Sequence, residues 1–205
     1  MILFAMLLPP TVNTPRGEEY GPTLTIDDNT LYFVGLNRED GSYTEDIYVS
    51  YRDKKTGEWG AARKIDALSN PHRNEAPTSV SGDGRTMLLF VEGKMCFSVR
   101  AAYGWTEPRP LPQYLQLGNW QADAMITADG KALLFAANYP AEGEDKPSLN
   151  IFVSERNAQG RWGTPYSIGK VINTKGMERS PFLHPDMKTL NRRSEERRVG
   201  KECRS

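Results

Sequence analysis

Four stretches decide the fold: TIDDNTLYF (25–33), SGDGRTMLLF (81–90), TADGKALLF (127–135) and HPDMKTL (184–190). Each is an Asp-centred turn followed by an apolar run. The anchoring aspartates Asp27, Asp83, Asp129 and Asp186 are separated by 56, 46 and 57 residues, and eight residues before them stand Glu19, Glu75, Gln121 and Glu178. A recurring period of this length marks an array of one supersecondary unit stacked on itself.

The unit has further parts in constant order. After the anchor comes a second apolar run, Asp46–Ser50, Met95–Ser98 and Asn150–Ser154. A tryptophan follows that serine by seven to nine residues, at Trp59, Trp105 and Trp162. The unit closes on Val12–Thr14, Leu68–Asn70, Gln116–Asn119 or Val171–Thr174, each running into the next Glu or Gln. Asp-Gly and its relatives supply the left-handed backbone of tight turns, and Asp bonds its own turn backbone. The segments between turns alternate and are rich in Val, Ile, Tyr, Phe and Leu, as half-buried strands are. Prolines such as Pro22, Pro77, Pro110, Pro140 and Pro181 interrupt the chain too often for long helices. About four short strands per unit and no helices predict the blades of a β-propeller.

These residues resemble the Pro-Asp variant of WD-like propeller repeats found in TolB-like bacterial envelope proteins and before OmpA-type domains. The resemblance rests on Glu19-x-x-Pro22, Asp27, Leu31-Tyr32-Phe33, Asp46–Ser50, Trp59 and Gly160–Pro165 with Ile172–Thr174, Glu178, Pro181 and Asp186. Gln121 and Ala124 depart from it, standing where the pattern has Glu and Pro. It implies an all-β propeller fragment of about three complete four-stranded blades with partial blades at the ends. It also implies a non-enzymatic module of the periplasm or outer membrane that binds a protein or envelope partner.

Three regions are expected. Residues 1–11, with the apolar run MILFAMLL, read as a strand of a preceding blade or a weak signal-like segment. The run is too short to span a bilayer as a helix. Residues 12–192 form the partial propeller. Residues 193–205 (RSEERRVGKECRS) break the repeat and resemble a translated sequencing adapter, so they are expected to be disordered and to pack against nothing.

The whole chain is formally neutral, with 26 basic and 26 acidic residues. Without the last thirteen residues, which hold five basic and three acidic side chains, 21 basic and 23 acidic residues remain, a net charge of −2. Neither balance suits a nucleic-acid surface, which needs a basic excess. Outside the tail Cys96 is the one cysteine, so no internal disulfide is expected.

Signals for catalysis are thin. His72 and His184 occupy different places in their units, and there is no HExxH, paired CxxC, G-x-S-x-G or Walker loop. No catalytic residue, metal or cofactor is assigned. The recurring Glu19, Glu75 and Glu178 are candidates to line a rim or channel and bind a cationic group or metal, against a structural role bonding backbone where each blade begins. Recurrent Trp59, Trp105 and Trp162 favour packing between blades, whereas Trp120 lies out of register and is the candidate for an exposed contact. The segments Ser50–Trp59 and Ser154–Trp162 resemble loose forms of the sialidase box Ser-x-Asp-x-Gly-x-x-Trp. A sialidase-like glycosidase, or the propeller of a peptidase with a separate catalytic domain, are therefore the alternative functions.

Overall fold

The computed structural model describes residues 8–38, 43–141, 143 and 148–195. It is nearly all β. The first sheet holds β1 (Glu18–Leu24), β2 (Thr30–Leu36), β3 (Asp46–Tyr51) and β4 (Arg63–Lys64), antiparallel and in sequence order. The second holds β5 (Glu75–Val80), β6 (Thr86–Val91) and β7 (Lys94–Ala101), with both β8 (Gly104–Trp105) and β9 (Arg109–Pro110) paired to β7. The third holds β10 (Gln121–Ile126), β11 (Ala132–Asn138), β12 (Leu149–Glu155) and β13 (Tyr166–Ser167). A two-stranded sheet, β14 (Glu178–Leu183) with β15 (Leu190–Ser194), follows. These are three complete blades and half of a fourth, with β1, β5, β10 and β14 as the inner strands.

The aspartate turns are equivalent. Asp27, Asp83 and Asp129 each accept a hydroxyl hydrogen bond of 2.6 Å, from Thr25, Ser81 and Thr127. The carboxylates also accept backbone N–H groups from Asn29, Arg85 and Lys131. At Asp186 the N–H groups of Lys188 and Thr189 do the same, and His184 replaces the hydroxyl residue. Each turn needs one left-handed residue, and Asp28, Gly84, Gly130 and Met187 supply it with φ of 55°, 68°, 70° and 57°.

Packing between blades is close. Leu88, Met95, Leu111 and Leu115 meet Ile126, Leu133, Phe135 and Phe152 between the second and third blades. Tyr32, Ile47 and Val49 meet Met87, Leu89 and Trp105 between the first and second. A Cβ on Gly82 would lie 2.5 Å from the carbonyl oxygen of Ala128 on the next blade, so only glycine fits that approach.

The closing phrases act as clasps. Ile47 N–H donates to Ser69 Oγ at 3.0 Å, Gln116 Nε2 donates to the Met95 carbonyl at 3.2 Å, and Asn173 brackets Ile151 with bonds of 2.7 and 2.9 Å. Each loop is thereby stitched to the third strand of its own blade before the chain passes to the next.

Three details differ from the sequence reading. Trp59 and Trp162 make only isolated bridges, to Arg52 and Arg156, and the paired fourth strands come later, at β4 and β13. Residues 8–11 lead into a turn instead of forming a strand, and residues 1–7 lie outside the described residues. The boundary at 193 falls inside β15, where Arg193 pairs with Arg179 and Ser194 with Glu178; residues 196–205 lie outside the described residues.

Candidate functional site

A cleft of about 980 Å³ runs between the inner strands of all four blades. Its position follows from the topology: β1, β5, β10 and β14 are sheet edges, and they face one another across it. Such edges would invite strand addition. Each carries a one-residue bulge, between Tyr20 and Thr23, Pro77 and Ser79, Ala122 and Met125, and Arg179 and Phe182. In three of them a residue takes left-handed backbone: Gly21 (φ 60°), Asp123 (54°) and Ser180 (50°). The bulges break the regular row of edge N–H and C=O groups, leaving side chains to meet whatever enters.

The four recurring Glu and Gln residues do not line this cleft. Each turns toward the loop preceding its blade. Glu19 Oε1 accepts from Thr14 Oγ1 at 2.7 Å and from Arg38 at 2.6 Å, with Arg38 lying over the rings of Phe33 and Tyr48. Fully buried Glu75 accepts from Arg73 Nε and from Asn70 N–H at 3.3 Å. Burial pushes the Glu75 carboxyl above its ordinary pKa, and the bonds from Arg73 and Asn70 pull the other way. Gln121 donates to the Leu115 carbonyl at 2.8 Å. Glu178 accepts from Thr174 at 2.6 Å and Ser194 at 3.1 Å, with Arg192 at 3.6 Å.

Trp120 does reach the cleft. It sits at the mouth by the Glu-bearing ends of the inner strands, tilted against Phe90 with centroids 6.4 Å apart. The Arg179 guanidinium lies 4.8 Å from its ring centroid and donates from Nε to Asp123 at 3.2 Å. Asp123 also accepts from the backbone N–H and the hydroxyl of Ser180, at 3.1 and 3.2 Å. Across the mouth Tyr20 donates its hydroxyl to Glu45. Burial and the neighbouring acids Glu45 and Glu18 hold that phenol above its ordinary pKa. The far end, near the aspartate turns, is lined by Leu24, Ile26, Val80, Ile126 and Leu183 with Asp28.

A second constellation lies on the outer hairpins, away from the cleft. Arg52, Arg100 and Arg156 lie over Trp59, Trp105 and Trp162 at 5.2, 5.3 and 4.4 Å. The preceding serines Ser50, Ser98 and Ser154 donate to the carbonyls of Gly60, Thr106 and Gly163 at 2.6 to 2.7 Å. Trp105 is buried, while Trp59 and Trp162 are partly buried. These are packing groups, and the sequence signal for the arginines was available: each stands two residues after the recurrent serine.

The arrangement of blades around a cleft is that of a β-propeller. Among solved structures the chain is similar to TolB from Acinetobacter baumannii, with a TM-score of 0.53 and 20% identity, covering 86% of this chain and 38% of that one. It is also similar, at a TM-score of 0.48 and 13% identity, to the periplasmic gluconolactonase PpgL of Pseudomonas aeruginosa, covering 84% of this chain and 49% of that one. The chain thus spans less than half the length of either. No protein-family model matches it, and no curated protein does.

Proposed function

We propose that this chain is a non-enzymatic propeller module of the bacterial cell envelope that binds a protein partner through the cleft between its inner strands. The observation that carries the reading is the cleft itself. It is mostly apolar, collared by Tyr20, Phe90 and Trp120, and built from every blade. Concave, mostly apolar surfaces with a few placed polar groups are where ligands bind. The repeated glutamates Glu19, Glu75 and Glu178 are committed to loop bonding, which takes these three carboxylates away from acid–base hydrolysis of a glycoside in the cleft. An envelope setting agrees with the TolB-like fold, and among the described residues no helix is long and apolar enough to cross a membrane.

Site-specific photo-crosslinking in bacterial cells tests the proposal. A photoreactive residue at Leu24, exposed in the cleft wall, is expected to trap an envelope protein, whereas one at Tyr103 on an outer hairpin is not. Trapping from Tyr103 and not from Leu24 would move the interface to the outer rim and overturn the reading. Turnover of a sialoside or an aryl glycoside by the purified chain would replace it with the glycosidase alternative.

A further inference from the structure

The charge of the cleft differs from that of the chain. The whole molecule is formally neutral, yet among the described residues the cleft is lined by three carboxylates, Asp28, Glu45 and Asp123, against one cation, Arg179, a formal balance of −2. A concave low-dielectric wall concentrates the field of such a surplus. The carboxylates are spread from one end to the other, with Glu45 and Asp123 at the aromatic mouth and Asp28 by the far turns.

The mouth also shows how it holds a basic side chain, because it holds one of its own. The Arg179 guanidinium is 4.8 Å from the centre of the Trp120 ring and 3.2 Å from Asp123. An aromatic face with a carboxylate beside it is the arrangement that favours a guanidinium or ammonium over a neutral group. Tyr20, with Glu45 bonded to its hydroxyl, sets the same residue types on the other side of the mouth, and Phe90 stands against Trp120. Below them the wall is aliphatic.

We propose, building on the cleft as the partner-binding site, that its occupant is a basic peptide segment. A Lys or Arg side chain lodges at the mouth between Tyr20, Phe90 and Glu45, and the flanking apolar residues of the segment lie along Leu24, Val80 and Ile126. The bulged inner edges set the mode of recognition. The segment is held by its side chains and not by joining a sheet as an added strand, since none of the four edges offers an unbroken backbone row.

The test is selection of a random peptide-display library against the full chain, followed by titration of the recovered peptides in solution. Cleft dependence is read with Leu24→Trp, a substitution at an exposed lining position, and with Ile26→Trp as an independent second block. The expected result is that cleft-dependent peptides are enriched in Lys or Arg next to aliphatic residues. Glu45→Gln is expected to weaken them about tenfold, with Tm and far-ultraviolet circular dichroism unchanged. Replacing the basic residue of a selected peptide by Gln is expected to cost a similar factor. The factor should shrink near 1 M salt, where charges are screened within about 3 Å. Cleft-dependent peptides that are neutral or acidic, or that ignore Glu45→Gln, would overturn the charge inference and leave the cleft reading standing. Peptides unaffected by either blocking substitution would remove both.

Discussion

Glu75 is a charged side chain at a position where a neutral amide serves as well, for Gln121 holds the equivalent place in the next blade. Its folded pKa is raised by burial. A group of that sign contributes stability below its unfolded pKa and loses it as pH rises through the folded value. Wild-type protein is therefore expected to gain thermal stability relative to Glu75→Gln as pH falls from 7 toward 4. At pH 7 the variant is expected to lie within about 1 kcal/mol of wild type, because Arg73, the partner it leaves, is more than a third exposed. Thermal melts of both proteins at several pH values check this. A variant that unfolds at pH 7 would show that the charge itself is required. The anchor aspartates have the opposite sign. Thr25 and Asn29 hold Asp27 at about 2, and the N–H groups of Lys188 and Thr189 hold Asp186 there as well. Their contribution is present above about 4 and is lost as pH falls toward 2. Asp27→Asn is expected to flatten part of that acid-side loss in a pH series of melting midpoints. The aspartates were legible because a turn writes its chemistry into adjacent letters. The arginines stand in register two residues after the recurrent serine, but their contact with the tryptophans was not legible, because the Arg–Trp separation varies as 7, 5 and 6 residues while the contact stays the same.

At the scale of elements, the outer hairpin does different work in each blade. Trp105 is buried against the first blade and meets Tyr32 edge-on at 5.9 Å, and Arg100 donates to the Tyr32 hydroxyl at 3.1 Å. Trp59 and Trp162 are only partly buried. They join the cores beside Val12 and Leu115, and their carbonyls accept from Thr11 and Tyr114 at 3.2 and 3.0 Å. Trp105→Ala is accordingly expected to cost about 3–5 kcal/mol, the range for large buried aromatics, and Trp59→Ala roughly half as much. Denaturant titration measures both, and equal losses would contradict the difference in burial. The repeat predicted one role for the three tryptophans because it reports position within a unit. How deeply each is covered depends on the neighbouring blade, which the letters of the unit do not contain. The same limit explains the fourth strand. Pattern alone placed it at Trp59 and Trp162, but the hairpin turns first and the pairing resumes at Arg63–Lys64 and Tyr166–Ser167.

At the scale of the whole molecule, the blades form an array in which each unit rests on its neighbours, so stability is close to a sum of unit and interface contributions. The half-blade β14–β15 has fewer strands to share that load, yet it supplies Arg179 and Leu183 to the cleft. The cleft is a property of this assembly. Sequence reasoning offered Trp120 as a candidate contact but could not bring it to Arg179, because the two meet only when β10 and β14 stand side by side. The end of the described chain matters for the same reason. Ser194 Oγ donates to buried Glu178 at 3.1 Å, Arg193 lies opposite Arg179, and Glu195 N–H reaches the Met177 carbonyl at 3.0 Å. Residues 193–195 thus finish the strand that fixes the base of β14. Removing residues 193–205 is expected to lower the melting midpoint by a few degrees relative to removing 196–205, since about 1 kcal/mol shifts Tm by roughly 2–4 °C at this size. The larger deletion is also expected to weaken any cleft-bound peptide, because Arg179 and Ser180 would lose the pairing that sets the wall they stand on. Identical midpoints and affinities for the two deletions would show that β15 ends, in energetic terms, at Arg192.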